Sequence, residues 1–181
     1  MKDKRRTLLV MGIGNPGETY ARTYHNAGIM ATEYFASASL GKGSTKFARP
    51  RGKHFEYAKD EGLIFAKSLT YMNESGKAAL EALRFFKTKA PSLALVHDDS
   101  DLSLGSFKVE RGRSSAGHRG VACVIQALGT KDFLRVRIGV RPPASPRIKA
   151  GDFVLRNIRR EDLAKLQFAF LGAIKKLMEN E

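Results

Sequence analysis

The sequence predicts an α/β layered fold, and three observations predict it. Short apolar runs of strand length recur along the chain: Leu8-Leu9-Val10-Met11, Leu63-Ile64-Phe65-Ala66 and Leu93-Ala94-Leu95-Val96. Segments with apolar residues at helical spacing alternate with them, the pattern that lays helices on a sheet. The first run ends in Gly12-Ile13-Gly14-Asn15-Pro16-Gly17, a turn that takes the chain sharply off its strand. Glycine turns without a Cβ clash and lets a ligand approach, and proline ends strand pairing. Asn15 is thereby presented at a strand's C-terminal end, where α/β sheets form ligand crevices.

Composition sets the bounds. A length of 181 residues predicts one domain with a real core, and a hydrophobic content of 43% fits a soluble globular chain. No run approaches the ~18 apolar residues of a membrane span. Lys and Arg total 32 against 18 Asp and Glu, a formal net charge of +14, which points to a polyanionic partner, most simply nucleic acid. The single cysteine, Cys123, excludes an internal disulfide framework and a cysteine-built zinc site. It lies in an apolar run and reads as a packed thiol of a reducing compartment, cytoplasm or mitochondrial matrix. The basic start, Met1-Lys2-Asp3-Lys4-Arg5-Arg6, has no apolar signal-like run.

The elements follow in order. After the first strand and turn, residues 27 to about 40 read as a helix with Ile29, Tyr34 and Phe35 toward a core. Gly41-Lys42-Gly43-Ser44 is a loop, and residues 47–58 are basic and weakly strand-like, broken at Arg49-Pro50-Arg51-Gly52. The strand at 63–66 leads through Thr70-Tyr71-Met72-Asn73 to a helix with Ala78, Leu80, Leu83 and Phe86 as apolar positions and Asn73 as its N-cap. The strand at 93–96 is expected to end in a turn, His97-Asp98-Asp99-Ser100-Asp101. Residues 105–110 form another strand, Gly112 to Gly120 a small-residue loop, and 121–128 a helix. Residues 133–140 are a strand with Arg135 and Arg137 on one face and Val136 and Ile138 on the other. The Pro-, Arg- and Lys-rich stretch 141–151 is a loop. Leu163, Leu166, Phe170, Ile174 and Leu177 mark a closing helix.

Polar clusters gather at the turns: Asn15 with His25, Met72-Asn73, Asp98 with Asp101, and the loop through His118. Gly12-x-Gly14-x-x-Gly17 also matches the dinucleotide fingerprint, but Pro16 interrupts the turn, and the stretch where the ribose-binding acid belongs reads as helix. The acids at 98, 99 and 101 read either as a solvated turn or as ligands of a divalent ion; the second needs more acids than the chain offers nearby. A His beside an Asp is more specific, because a carboxylate holds the imidazole in one tautomer and makes it a general base for water. There is no Gly-x-Ser-x-Gly elbow of a serine hydrolase.

Gly-Ile-Gly-Asn-Pro-Gly at 12–17, Tyr20 and His25-Asn26-Ala27-Gly28 resemble the opening signature of bacterial-type peptidyl-tRNA hydrolases. Thr70-Tyr71-Met72-Asn73-Glu74-Ser75-Gly76 is similar to the second motif of that family, His97-Asp98-Asp99-Ser100-Asp101-Leu102-Ser103-Leu104-Gly105 to its third, and Ser114-Ser115-Ala116-Gly117-His118-Arg119-Gly120 to its fourth. Val136-Arg137-Ile138-Gly139-Val140 and Phe153-Val154-Leu155 follow in family order. The resemblance implies a monomeric, single-domain α/β/α sandwich around a twisted mixed β-sheet. It implies hydrolysis of the ester between a peptide and the 3′ ribose of tRNA, with no metal and no cofactor. In it His25 is the general base, Asp98 orients His25, and Asn15 and Asn73 hold the peptide backbone and the water. Tyr20 and Met72 wall the cleft, and Asp101 and Arg119 join the substrate-binding set. Peptidyl-tRNA is the implied partner, with the ribosome as a second one.

One position departs from the pattern: the family usually has Asn after the His of its fourth motif, and this chain has Arg119. Arg119 reads as a bidentate phosphate contact, or as the mark of a relative that serves as an RNA-binding or splicing cofactor instead of a hydrolase. Retention of Asn15, His25, Asn73 and Asp98 argues against the second. The tRNA body is expected along a basic face made by Lys108, Arg135, Arg137, Arg141, Arg147 and Lys149, the last three on a loop placed to cover the cleft as a lid.

Overall fold

In a computed structural model, residues 7–41, 45–60, 62–143 and 149–179 are described. They form a six-stranded sheet in the order β2-β3-β1-β4-β6-β5. β1 (Leu8–Gly12) lies parallel between β3 (Leu63–Ser68) and β4 (Leu93–Ser103), and β6 (Leu134–Arg141) runs parallel to β4. The edges are antiparallel: β2 (Phe55–Asp60) on β3 and β5 (Phe107–Arg111) on β6.

Alternation along the strands divides the core into two layers. Leu8, Val10, Ala94, Val96, Val136 and Ile138 face α1 (Ala27–Leu40) and α5 (Arg160–Glu179), with Phe35 and Phe170 filling the gap. Leu9, Met11, Ile64, Leu93 and Leu95 face α2 (Ser75–Phe85) and α3 (Arg119–Leu128), against Ala78, Ala82, Val121 and Val124. The result is an α/β/α arrangement on a mixed sheet, as the sequence predicts. Each large apolar side chain so buried contributes about 1.5–3 kcal/mol.

Several expectations are adjusted. β4 does not end at Val96; it continues through Ser103, so the acids at 98, 99 and 101 stand on a strand and not in a turn. It can extend because β6 keeps pairing with it, with Asp98 opposite Ile138 and a register shift only between Asp99 and Ser103. Asn73 is not an N-cap: a 3₁₀ turn, Met72–Glu74, precedes α2, whose cap position is Glu74 with no side-chain cap bond. The strand expected over 47–58 reduces to a bridge from Ala48 to Tyr57 and to β2 itself. Cys123 is half-buried where α2 meets α3, its Sγ accepting the Gly76 N–H at 3.3 Å. Within the loop expected over 141–151, Arg141 ends β6 and a short α4 (Ala150–Phe153) begins; Arg147 lies outside the described residues. No helix among the described residues is long and apolar enough to cross a membrane.

Candidate active site

β1 stops at Gly12, paired with Val96, while β4 runs on past it. α1 leaves to one face of the sheet and α2 and α3 lie on the other, so a crevice opens between the carboxyl ends of β1 and β4. The first turn of α1 packs hard into it. A Cβ on Gly28 would meet the carbonyl oxygen of Val96, and His97 Cα and Ile13 O at 2.9 Å. Only glycine permits that approach, and it sets the preceding 3₁₀ turn, Tyr24–Asn26, against β4.

Two imidazoles converge there on one carboxylate oxygen. His25 Nδ1 lies 2.9 Å from Asp98 Oδ1, and His118 Nε2 lies 2.9 Å from the same atom. His118 is the N-cap of α3 and its Nδ1 accepts the Val121 N–H at 3.2 Å, so its proton sits on Nε2 and is donated to Asp98. An ionised Asp98 likewise takes the Nδ1 proton of His25, which leaves His25 Nε2 with a lone pair. Asp98 is 2% exposed. Burial pushes its carboxyl up, but the N–H donors of His118 and then His25 outweigh burial and hold it well below the usual carboxylate range. His97, next in the chain, donates from Nδ1 to the Asp98 carbonyl at 2.6 Å and packs edge-on against His118 at 4.7 Å. Burial, then His118 and Arg135, push the His97 pKa well down, so this ring is neutral.

Asn15 completes the floor. Its Oδ1 accepts the Met72 N–H at 2.8 Å, which turns its amide NH₂ away from that contact. Asn26 fixes the backbone beneath it, accepting the Asn15 N–H at 2.8 Å and donating to the Asn15 carbonyl at 2.9 Å. A cavity of about 810 Å³ opens over these groups, lined by Asn15, His25, Met72, Asn73, Asp98, Asp101, His118 and Arg119, with Tyr71, residues 115–117 and Val154-Leu155 at its sides. Tyr20 is not among its lining; it makes an edge-on contact at 6.4 Å with Tyr71, which is. His25, Asp98 and His118 are the one cluster among the described residues with the ligand atoms for a metal ion. Their contacts here are those of two N–H donors on one carboxylate oxygen.

The structure thus brings together Asn15, His25, Met72, Asn73, Asp98, Asp101 and Arg119. His118 and Asn26 belong with them and are absent from the sequence-derived set. The sequence marked His118 as part of a polar loop entering a helix and of the fourth motif, but gave it no role in the site.

The expected basic face is corrected in part. Arg135 is 1% exposed, because β6 is an interior strand with Leu95 of β4 and Glu110 of β5 beside that position. Its Nε and Nη1 are buried without partners, and burial lowers its pKa. Arg137 is committed to acids, with Nε to Asp99 at 2.6 Å and Nη1 to Glu110 at 2.7 Å; burial opposes its charge, but those two bonds raise its pKa overall. Arg141 is half-buried, with Nε donating to the Ser100 carbonyl. Lys108, Lys149 and Arg119 are exposed.

A family model described as peptidyl-tRNA hydrolase matches residues 9–180. Among curated relatives, a peptidyl-tRNA hydrolase of Thermus thermophilus is 41% identical over 156 residues, 86% of this chain and 79% of that protein. One of Mycobacterium tuberculosis is 40% identical over 162 residues, 88% of this chain and 83% of that protein. The crystal structure of peptidyl-tRNA hydrolase from Acinetobacter baumannii superposes with a TM-score of 0.81 at 25% identity, covering 98% of this chain and 90% of that one.

Proposed function

The chain belongs to the peptidyl-tRNA hydrolase family and cleaves the ester between peptide and tRNA, and from that membership we propose that His25 is the general base of the reaction. The observation that carries the assignment is the shared oxygen of Asp98, which accepts from His25 Nδ1 and so leaves Nε2 as the acceptor over the cavity. In this reading a water held between His25 Nε2 and the ester carbonyl carbon gives its proton to the imidazole as its oxygen attacks. Asp98 stabilises the imidazolium that forms. The amide NH₂ of Asn15 donates to the oxyanion, and Asn73 at the rim holds the peptide backbone. On collapse, the C–O bond to the 3′ oxygen breaks and the imidazolium returns the proton to that oxygen; the products are a free tRNA hydroxyl and a peptide carboxylic acid, which loses its proton to solvent. An ester is activated, so one positioned base and a few hydrogen-bond donors suffice.

The tRNA end enters across Met72 and Tyr71, with Tyr20 supporting Tyr71. Arg119 and Asp101 flank it, and Lys108, Arg141 and Lys149 carry the phosphates beyond the cleft. Arg135 is left out for its burial, and Arg137 acts through its acids.

His25→Ala is the test. Peptide release is expected to fall by ~10²–10⁴-fold, the usual loss for a positioned base, with tRNA affinity nearly intact. Turnover within about threefold of the parent would remove His25 from that role.

A further inference from the structure

Tyr24 stands directly before His25 and is held from outside the cleft. Its phenol donates to Asp162 Oδ2 at 2.6 Å, and both side chains are buried. Asp162 lies in the first turn of α5. Arg159 closes the other side, its Nε donating to the same Oδ2 at 2.8 Å and its Nη2 to Oδ1 at 3.4 Å. Burial raises the Tyr24 pKa and the bond to Asp162 raises it further, so the phenol keeps its proton. Burial pushes Asp162 up, but the bonds from Tyr24 and Arg159 prevail and keep it ionised. A neutral phenol on an ionised, buried carboxylate is a short, charge-assisted bond.

The main chain beside it forms a second tie. Tyr24 N–H donates to Arg156 O at 3.2 Å, His25 N–H to Val154 O at 2.8 Å, and Ile158 N–H to Arg22 O at 2.8 Å. Thr23 and Asn157 pair across the same ladder. Val154 and Leu155, in the turn after α4 on the far side of these bonds, line the cavity.

We propose that Tyr24 and Asp162 are positioning residues for His25: they form a latch that makes one body of the base and the segment 154–158, whose Val154 and Leu155 wall the cleft. Neither residue lines the cavity, so the latch acts on placement and not on substrate. α5 is already anchored by Leu166, Phe170 and Leu177, and packing of the helix does not itself require the latch. A base displaced from its attack position loses rate while the binding surface stays. The latch rests on the reading of His25 as base.

Tyr24→Phe tests it, since this change keeps the ring and its edge contact to Phe153 at 6.1 Å and removes only the hydroxyl. The expected result is a fall in kcat of at least about fivefold with KM within about twofold, together with displaced NMR resonances of the His25 ring. Phe170→Leu is the control: it thins α5 packing at Tyr34, 5.9 Å away, and takes away none of the latch's hydrogen bonds. It is expected to lower Tm and leave kcat and the His25 resonances unchanged. If Tyr24→Phe does not fold, Asp162→Asn keeps an acceptor for the phenol and removes the charge, and it is expected to give a smaller loss in the same direction. Unchanged kcat or unmoved His25 resonances in the folded variant overturn the proposal, as does an equal loss of kcat in Phe170→Leu. Should His25→Ala retain turnover, the base assignment falls, and the resonances alone decide the latch.

Discussion

Two imidazoles on one carboxylate oxygen mean that any change at Asp98 reaches both rings at once. Asp98→Asn removes the negative charge that favours their protonated forms, so the acid limb of the release-rate profile should move to lower pH and the maximal rate should fall. A profile with the parent's acid limb would show that Asp98 does not act on the base. His97 makes a separate prediction about stability. It is neutral in the fold, its pKa pushed down by burial, His118 and Arg135, with the Asp98 charge opposing. The unfolded chain takes up a proton at this residue below about pH 6.5 and the folded chain does not, so stability falls as pH drops below that value. Urea unfolding at pH 7.5 and at pH 5.5 should show His97→Asn losing less stability over the interval than the parent, by about 1 kcal/mol. An equal loss in both would mean that His97 titrates normally in the fold.

At the scale of elements, the site depends on how closely α1 is seated on β4. Gly28 is the contact that sets this: a methyl there meets backbone on three sides, Val96 O, His97 Cα and Ile13 O, and backbone cannot swing aside as a side-chain end can. Gly28→Ala should therefore cost about 1–3 kcal/mol of stability, read as a lower Tm. It should also depress release, because lifting α1 carries His25 away from Asp98. Gly120→Ala is gentler. Its new methyl meets Met72 Sδ and Cγ and Ile13 Cδ1, side-chain atoms that can shift where backbone cannot, so the fold should survive with a reshaped cleft floor and a change mainly in KM.

Across the whole molecule the dominant feature is charge. A net +14 on 181 residues steers a polyanion, and each phosphate neutralised shows as salt dependence. Lys108 on the edge strand and Lys149 before α4 are exposed and far apart in sequence. Neutralising both together should weaken tRNA binding and flatten the plot of log affinity against log salt by about 0.7–0.9 for each phosphate that no longer has its lysine. Hydrolysis of a minimal peptidyl-nucleotide ester, which lacks the tRNA body, should stay near the parent's. An equal loss on both substrates would place the lysines in folding or chemistry instead.

The sequence by itself determined what depends on near neighbours along the chain. The strand at Leu8-Leu9-Val10-Met11, the glycine turn that presents Asn15, and the helix over Ala27–Leu40 were legible because alternation, helical spacing and turn chemistry are local. The motifs around His25, Asp98 and Asn73 likewise marked the cleft before any contact was known. Tertiary structure decided the rest, for reasons of partnership. His118 joins the site because α3 begins where β4 outruns β1, a meeting no window of sequence contains. The acids after Val96 stayed in a strand because β6 continued to pair with them. Arg135 and Arg137 share a strand face, as alternation predicted, but whether a guanidinium meets solvent depends on what flanks its strand. Interior placement in the sheet buries the first, and Asp99 and Glu110 bind the second, because a buried cation must be paired or go unsatisfied.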